Sequence, residues 1–232
     1  MKNILLIGGS YGIGLAIAKQ LQFENNVFIA SRSNENLADI EATYIPFDAS
    51  TDVLDTSKLP SVIDGLVYCP GSINLRPFKG IKPETFEADL QINFISLVKV
   101  IQSVLPNLLA AEQASIVTFS SVAASMGMPF HTSVSASKGA IEGFSKALAA
   151  EYAPKIRVNV IAPSLTDTPL ADKFLNNETK QEKSAERHPL KRFGKPEDSA
   201  QMACFLLSDK SSWISGQIFH VDGGMSTLLV NG

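Results

Sequence analysis

The sequence predicts an α/β fold: a single doubly wound domain over residues 1–232, with a central, mostly parallel seven-stranded sheet flanked by helices. Three observations predict it. Short apolar runs rich in β-formers alternate with helix-period segments along the whole chain, as a parallel sheet with crossover helices requires. The strand runs, such as NILLI (3–7), GLVYC (65–69) and IRVNVIA (156–162), are continuous rather than alternating, which means burial on both faces. The first run also leads through a glycine-rich turn straight into a helical pattern.

In chain order, Asn3–Ile7 reads as a strand and Gly12–Gln22 as a helix. Val27–Ala30 and Thr43–Pro46 are the second and third strands, and 64–69 the fourth. Pro83–Ala111 has helical spacing for most of its length, with Pro106 expected to end or kink it. A fifth strand at 115–120 precedes a long helix, Ser133–Tyr152. Residues 156–162 form the sixth strand, Pro196–Leu207 a helix and 216–222 the last strand. Ser164 to Lys195 reads as one long polar, irregular region, the pattern of a lid over a site.

Composition excludes several classes. The chain is 45% hydrophobic and 19% charged with a net charge of −3, which fits a globular protein. No Lys/Arg block supports a nucleic-acid or membrane-surface partner. Cys69 and Cys204 sit in apolar runs, and His131, His188 and His220 are scattered, so neither a disulfide framework nor a metal site is expected. The apolar run Ile4–Ile7 is too short for a signal peptide, and no run approaches membrane-spanning length. A cytoplasmic protein is the expectation.

The turn LIGGSYGIG places Gly8, Gly12 and Gly14 at G-x-x-x-G-x-G, with Ser10, Tyr11 and Ile13 between them. Glycines let a pyrophosphate approach the backbone, and the following helix N-terminus offers free N–H groups and a favourable dipole. This is the dinucleotide-binding arrangement of a Rossmann fold. At the end of the second strand stand Ser31 and Arg32. A guanidinium suits a 2′-phosphate, so NADP(H) is favoured over NAD(H). As a bland alternative, Arg32 is a surface charge. Asp48 is placed to meet the adenine and serves equally as a loop cap.

These features, with several more, resemble the short-chain dehydrogenase/reductase family, classical type, from about residue 3 to 224. YCPG (68–71), ending in Gly71, is similar to a degraded Asn-Asn-Ala-Gly segment. The resemblance implies that Asn93 in INF is the active-site Asn, Ser121 the catalytic Ser at the end of SIVTFSS, and Lys138 the catalytic Lys that also holds the nicotinamide ribose. It implies that Pro163 and Thr166 in APSLTDTPL meet the nicotinamide. It further implies hydride transfer between a nicotinamide and a carbonyl or alcohol, and a homodimer or homotetramer. The last strand and the LLVNG tail would join a second interface.

The family motif is Tyr-x-x-x-Lys. Four residues before Lys138, and thirteen after Ser121, stands Val134. The proton donor is therefore expected to be missing, which would slow ordinary carbonyl reduction. A water, His131, Ser133 or Tyr68 are the candidate substitutes. Met126, Met128 and Phe130 either line a pocket for an apolar carbonyl or alcohol substrate or simply belong to the core. The alternative function is a non-catalytic nucleotide-binding protein, a sensor or an inactive subunit. The presence of Ser121, Lys138 and Asn93 favours the enzyme.

Overall fold

A computed structural model describes residues 1–230. Asn231 and Gly232 of the tail, expected at an interface, lie outside the described residues. Seven strands, β1 (Lys2–Ile7), β2 (Asn25–Ser31), β3 (Ala42–Pro46), β4 (Gly65–Tyr68), β5 (Ala114–Phe119), β6 (Ile156–Pro163) and β7 (Ile218–Val221), join one sheet. The order is β3-β2-β1-β4-β5-β6-β7, and every pairing is parallel. The order reverses between β1 and β4, and a crevice opens there beyond the carboxyl ends of the strands.

The strands are continuously apolar because each face has its own core. In β1, Leu5 and Ile7 enter the cluster that also holds Leu66, Tyr68, Ile116 and Val158. Ile4 and Leu6 enter the opposite cluster with Val67, Val117 and Ile161. Helices α3 (Ser96–Leu109) and α4 (Thr132–Tyr152) cover the first face. Helices α1 (Gly12–Leu21) and α7 (Pro196–Leu207) cover the second.

The helical stretch expected over 83–111 is interrupted, but not at its proline. Helix α2 (Pro83–Leu90) runs into a π turn, Gln91–Ile95, before α3 resumes. A π turn inserts an extra residue and re-aims side chains, often at functional sites; here it buries Asn93 completely. Pro106 lies inside α3, which continues to Leu109. The carbonyl that loses its donor there belongs to exposed Gln102. Taken together, Pro83–Leu109 spans 27 residues and contains an 18-residue window with a mean hydropathy of 1.5, so by length and composition it is long and apolar enough to cross a bilayer. Polar residues such as Asn93, Lys99, Gln102 and Asn107 break up its apolar run in the sequence. Leu97, Val100, Ile101, Val104 and Leu108 are nevertheless buried against the sheet.

The region 164–195 is also more ordered than its composition suggests. It contains α5 (Asp172–Leu175) and α6 (Glu178–Glu186), and is closed at its ends by a bridge between Thr166 and Gly194. Helix α6 has no apolar stripe, so periodicity does not reveal it. Asn177 caps it by accepting from the Lys180 amide.

Candidate active site

The turn after β1 is shaped by backbone that other residues rarely adopt. Gly8 and Gly12 have φ of 78° and 52°, in the left-handed region. Gly14 answers a different need: a Cβ there would lie 2.3 Å from the Gly8 carbonyl oxygen and 3.0 Å from the Gly9 Cα. Helix α1 therefore starts hard against the strand, with its amides facing a cleft of about 800 Å³.

The cleft is lined by Gly8, Ser10, Tyr11, Gly12, Ile13, Gly14, Ser31, Arg32, Asp48 and Gly71. The structure thus brings together ten of the residues singled out in the sequence. Tyr11 precedes α1, and its phenol bonds Ser33 Oγ and Glu35 Oε2, each at 3.1 Å. The Ser31 hydroxyl donates to the Ser33 carbonyl at 2.9 Å. Asp48 accepts from the Ser50 amide at 2.8 Å, so it is a loop cap and lines the cleft as well. Arg32 is exposed and belongs to none of the ion pairs among the described residues.

Lys138, Pro163 and Thr166 lie further along, in a second cavity of about 440 Å³ with Ser121 and Val134 in its wall. Ile13, Cys69, Gly71, Thr168 and Leu170 line both spaces, so cleft and cavity are continuous. Gly71 is the hinge between them: a Cβ there would meet Asn93 Oδ1 at 3.0 Å and Lys138 Nζ at 3.3 Å.

Lys138 sits on α4 with Nζ donating to the Phe119 carbonyl at 2.9 Å. Burial pulls its pKa down to about 8, against the raising influence of Cys69 and Asp89. Ser121 follows β5 and its Oγ accepts from the Ala123 amide at 3.2 Å, which leaves the hydroxyl hydrogen free to meet a ligand. Val134 is buried one helical turn before Lys138. It offers no proton.

Two of the three side chains that could replace a donor do not reach the cavity. Tyr68 is the last residue of β4 and points into the core, where its hydroxyl donates to the Ile92 carbonyl at 2.7 Å. Burial raises its pKa far above the usual phenol range. Ser133 is buried and donates to Asp89 Oδ2. Only His131 lines the cavity, with Nδ1 at 2.7 Å from the Pro129 carbonyl.

Sequence reasoning missed two further groups. The Asp89 carboxylate is fully buried behind the cavity, accepting from Ser72 Oγ at 2.5 Å, Asn74 Nδ2 at 2.7 Å and Ser133 Oγ. Asn93 Nδ2 donates to Ser72 Oγ at 2.9 Å and to the Asp89 carbonyl at 2.8 Å. The network fixes Asn93 and the cavity edge at Ser72. The one local signal is the i, i+4 spacing of Asp89 and Asn93. His188 is the second: it is buried in the cavity wall, bonded through Nδ1 to the Ser184 carbonyl at 2.7 Å and through Nε2 to Ser164 Oγ at 2.8 Å. A carbonyl can only accept, so Nδ1 carries a hydrogen, and in the neutral imidazole Nε2 then accepts from the Ser164 hydroxyl.

A turn that only glycine can form, opening a helix at the switch point of a parallel sheet, and a Ser/Lys/Asn group beside it describe a nucleotide-dependent enzyme family. The family profile described as Enoyl-(Acyl carrier protein) reductase matches residues 8–226. The chain belongs to the short-chain dehydrogenase/reductase family. It is similar to the 3-oxoacyl-[acyl-carrier-protein] reductase FabG of Thermotoga maritima, with 34% identity over an alignment of 241 positions covering 97% of each chain. It is also similar to 2-(S)-hydroxypropyl-CoM dehydrogenase 3 of Xanthobacter autotrophicus, 29% identical over 98% of each chain. Among solved structures, the ligand-free aldohexose dehydrogenase of Thermoplasma acidophilum superposes with a TM-score of 0.90 at 26% identity, covering 100% of this chain and 96% of that one. The relatives of the short-chain dehydrogenase/reductase family are oxidoreductases that act on small molecules, and the family binds nicotinamide cofactors.

Proposed function

We propose that the protein is an NADP(H)-dependent oxidoreductase that moves hydride between the nicotinamide and a carbonyl or alcohol without a tyrosine acid, Val134 standing at the tyrosine position. The observation that carries this reading is the continuity of cleft and cavity across Gly71, with Ser121 and Lys138 lining the cavity and Asn93 directly behind it.

A bound nicotinamide supplies or takes up the hydride; the chain does the rest. The amides at the start of α1 hold the pyrophosphate, which the three glycines allow to approach. Arg32 at the cleft rim pairs with a 2′-phosphate, Ser31 lies beside it, and Asp48 faces the adenine. Pro163 and Thr166 shape the nicotinamide end. In the cavity, the free hydroxyl hydrogen of Ser121 polarises the carbonyl oxygen. The proton comes from the Lys138 ammonium through a water; the lysine is left neutral and recovers its proton from solvent. A pKa of about 8 suits this task, because a general acid works best near the operating pH. Asn93 and Asp89 position this end of the site. Cytoplasmic location and a homodimer or homotetramer belong to the same proposal.

The pH profile tests the acid. Lysine donates only while protonated, so ketone reduction is expected to fall as pH rises through about 8, and alcohol oxidation to rise across the same range. Lys138→Ala removes both limbs, and Ser121→Ala lowers turnover by about 10²–10³-fold. Rates unaffected by either substitution would refute the assignment. Nucleotide binding with no turnover of any ketone would instead leave the non-catalytic alternative.

A further inference from the structure

Helix α6 sorts its charges by sign. Lys180, Lys183 and Arg187 follow the i, i+3, i+7 spacing of one helical face, and all three line the 440 Å³ cavity with Ser184 and His188. Glu178, Glu182 and Glu186 follow i, i+4, i+8, on the opposite face, and do not line it. This arrangement works against the helix itself: Lys183 and Arg187 are like charges at i, i+4, and so are the successive glutamates, and such pairs destabilise a helix. Interleaved signs would serve the helix better. Glu178 in the first turn and Lys183 in the last suit the helix dipole, so the cation face is read from the cavity it lines and not from the helix alone.

The rest of the cavity agrees. Among the described residues no acidic side chain lines it, and its interior is apolar, with Leu165, Leu170, Phe174 and Met128 in the wall. None of the three cations joins an ion pair among the described residues. Lys180 donates to the Lys173 carbonyl and to Asn176 Oδ1, each at 2.8 Å, which leaves its charge uncompensated. The cations lie on the cavity, not on the cleft that faces the nucleotide, so the anion they await is not the cofactor's.

We propose that the substrate is a carbonyl compound with an apolar body and an oxyanion terminus, a carboxylate or a phosphate, read at the cavity mouth by Lys180, Lys183 and Arg187. The proposal rests on the oxidoreductase reading for the carbonyl but not for the anion. The apolar segment fills the space between Met128 and Phe174, the reacting carbon lies towards Ser121, and the anion reaches α6. Exposed cations of this kind steer and select charged ligands more than they anchor them.

The test is direct binding by calorimetry of octanamide, octanoate and octyl phosphate to the full chain at low salt. It requires neither cofactor nor turnover, so failure of the hydride-transfer reading leaves it intact. At least one anion is expected to bind about ten-fold more tightly than octanamide, as a few partly exposed charge pairs provide. Octanoate in front assigns a carboxylate; octyl phosphate in front assigns a phosphate. The preference is expected to vanish in Lys183→Gln/Arg187→Gln and to persist in Glu182→Gln on the far face. In the unaltered protein, it is expected to collapse at about 1 M salt, where charges are screened beyond roughly 3 Å. Equal binding of the three probes, no binding by any of them, or a preference that survives the double substitution or high salt would overturn the proposal.

Discussion

Replacing Val134 with tyrosine is expected to raise carbonyl reduction by about 10²–10⁴-fold, the contribution of a positioned general acid. The partners are already in place. Val134 lies one turn before Lys138 on α4, on the same helical face, and in the same cavity wall as Ser121. A phenol there would project into the cavity beside an ammonium, which favours the phenolate and so lowers the phenol pKa. Two consequences separate this from a change in binding. The gain should appear in kcat more than in KM, because a proton delivered in the transition state does not tighten the ground state. The gain should also disappear when Lys138→Ala is added, since an unaided phenol near pKa 10 is mismatched to neutral pH. Steady-state rates of NADPH oxidation with a common ketone would check both. No gain in kcat would contradict the placement of position 134 at the reacting atoms.

Gly14→Ala is expected to abolish nucleotide binding or weaken it by at least about 10²-fold. The added methyl group would sit 2.3 Å from the Gly8 carbonyl oxygen, far inside contact distance, and the obstacle is backbone rather than a movable side chain. Either α1 or the Gly8 turn must shift, and both form the cleft. Overpacking of this kind also costs about 1–3 kcal/mol of stability, so the melting temperature should fall. The comparison is Gly139→Ala on α4, where a Cβ meets nothing within 4 Å and helix propensity improves. That variant should bind nucleotide normally and melt no lower. Equal behaviour of the two variants would contradict the close-approach argument.

The sheet and its covering helices were legible because burial on both faces writes itself into continuous apolar runs, and because three glycines at fixed spacing have few other uses. The misreadings at the site turn on contacts distant in sequence. Tyr68 reads as the end of a strand that enters the YCPG segment beside the site, but as the last residue of β4 its side chain follows the two-residue alternation into the core rather than into the cavity. Asp89 gained its meaning from Ser72 and Ser133, 17 and 44 positions away. His188 likewise depends on Ser164, 24 positions back. Helix α6 escaped notice because hydrophobic periodicity is blind to a helix whose two faces differ only in the sign of charge. Pro106 was a true local signal, but at the far end of α3 a missing N–H has little left to break.

The most direct test of the central claim is a titration of NADPH and NADH into the purified protein, followed by nicotinamide fluorescence. The account predicts saturable NADPH binding, weaker NADH binding, and a narrowed difference between them in Arg32→Ala. Failure of both nucleotides to bind would contradict it, since the glycine turn, Arg32 and the Lys138 cavity would then have no nicotinamide to serve.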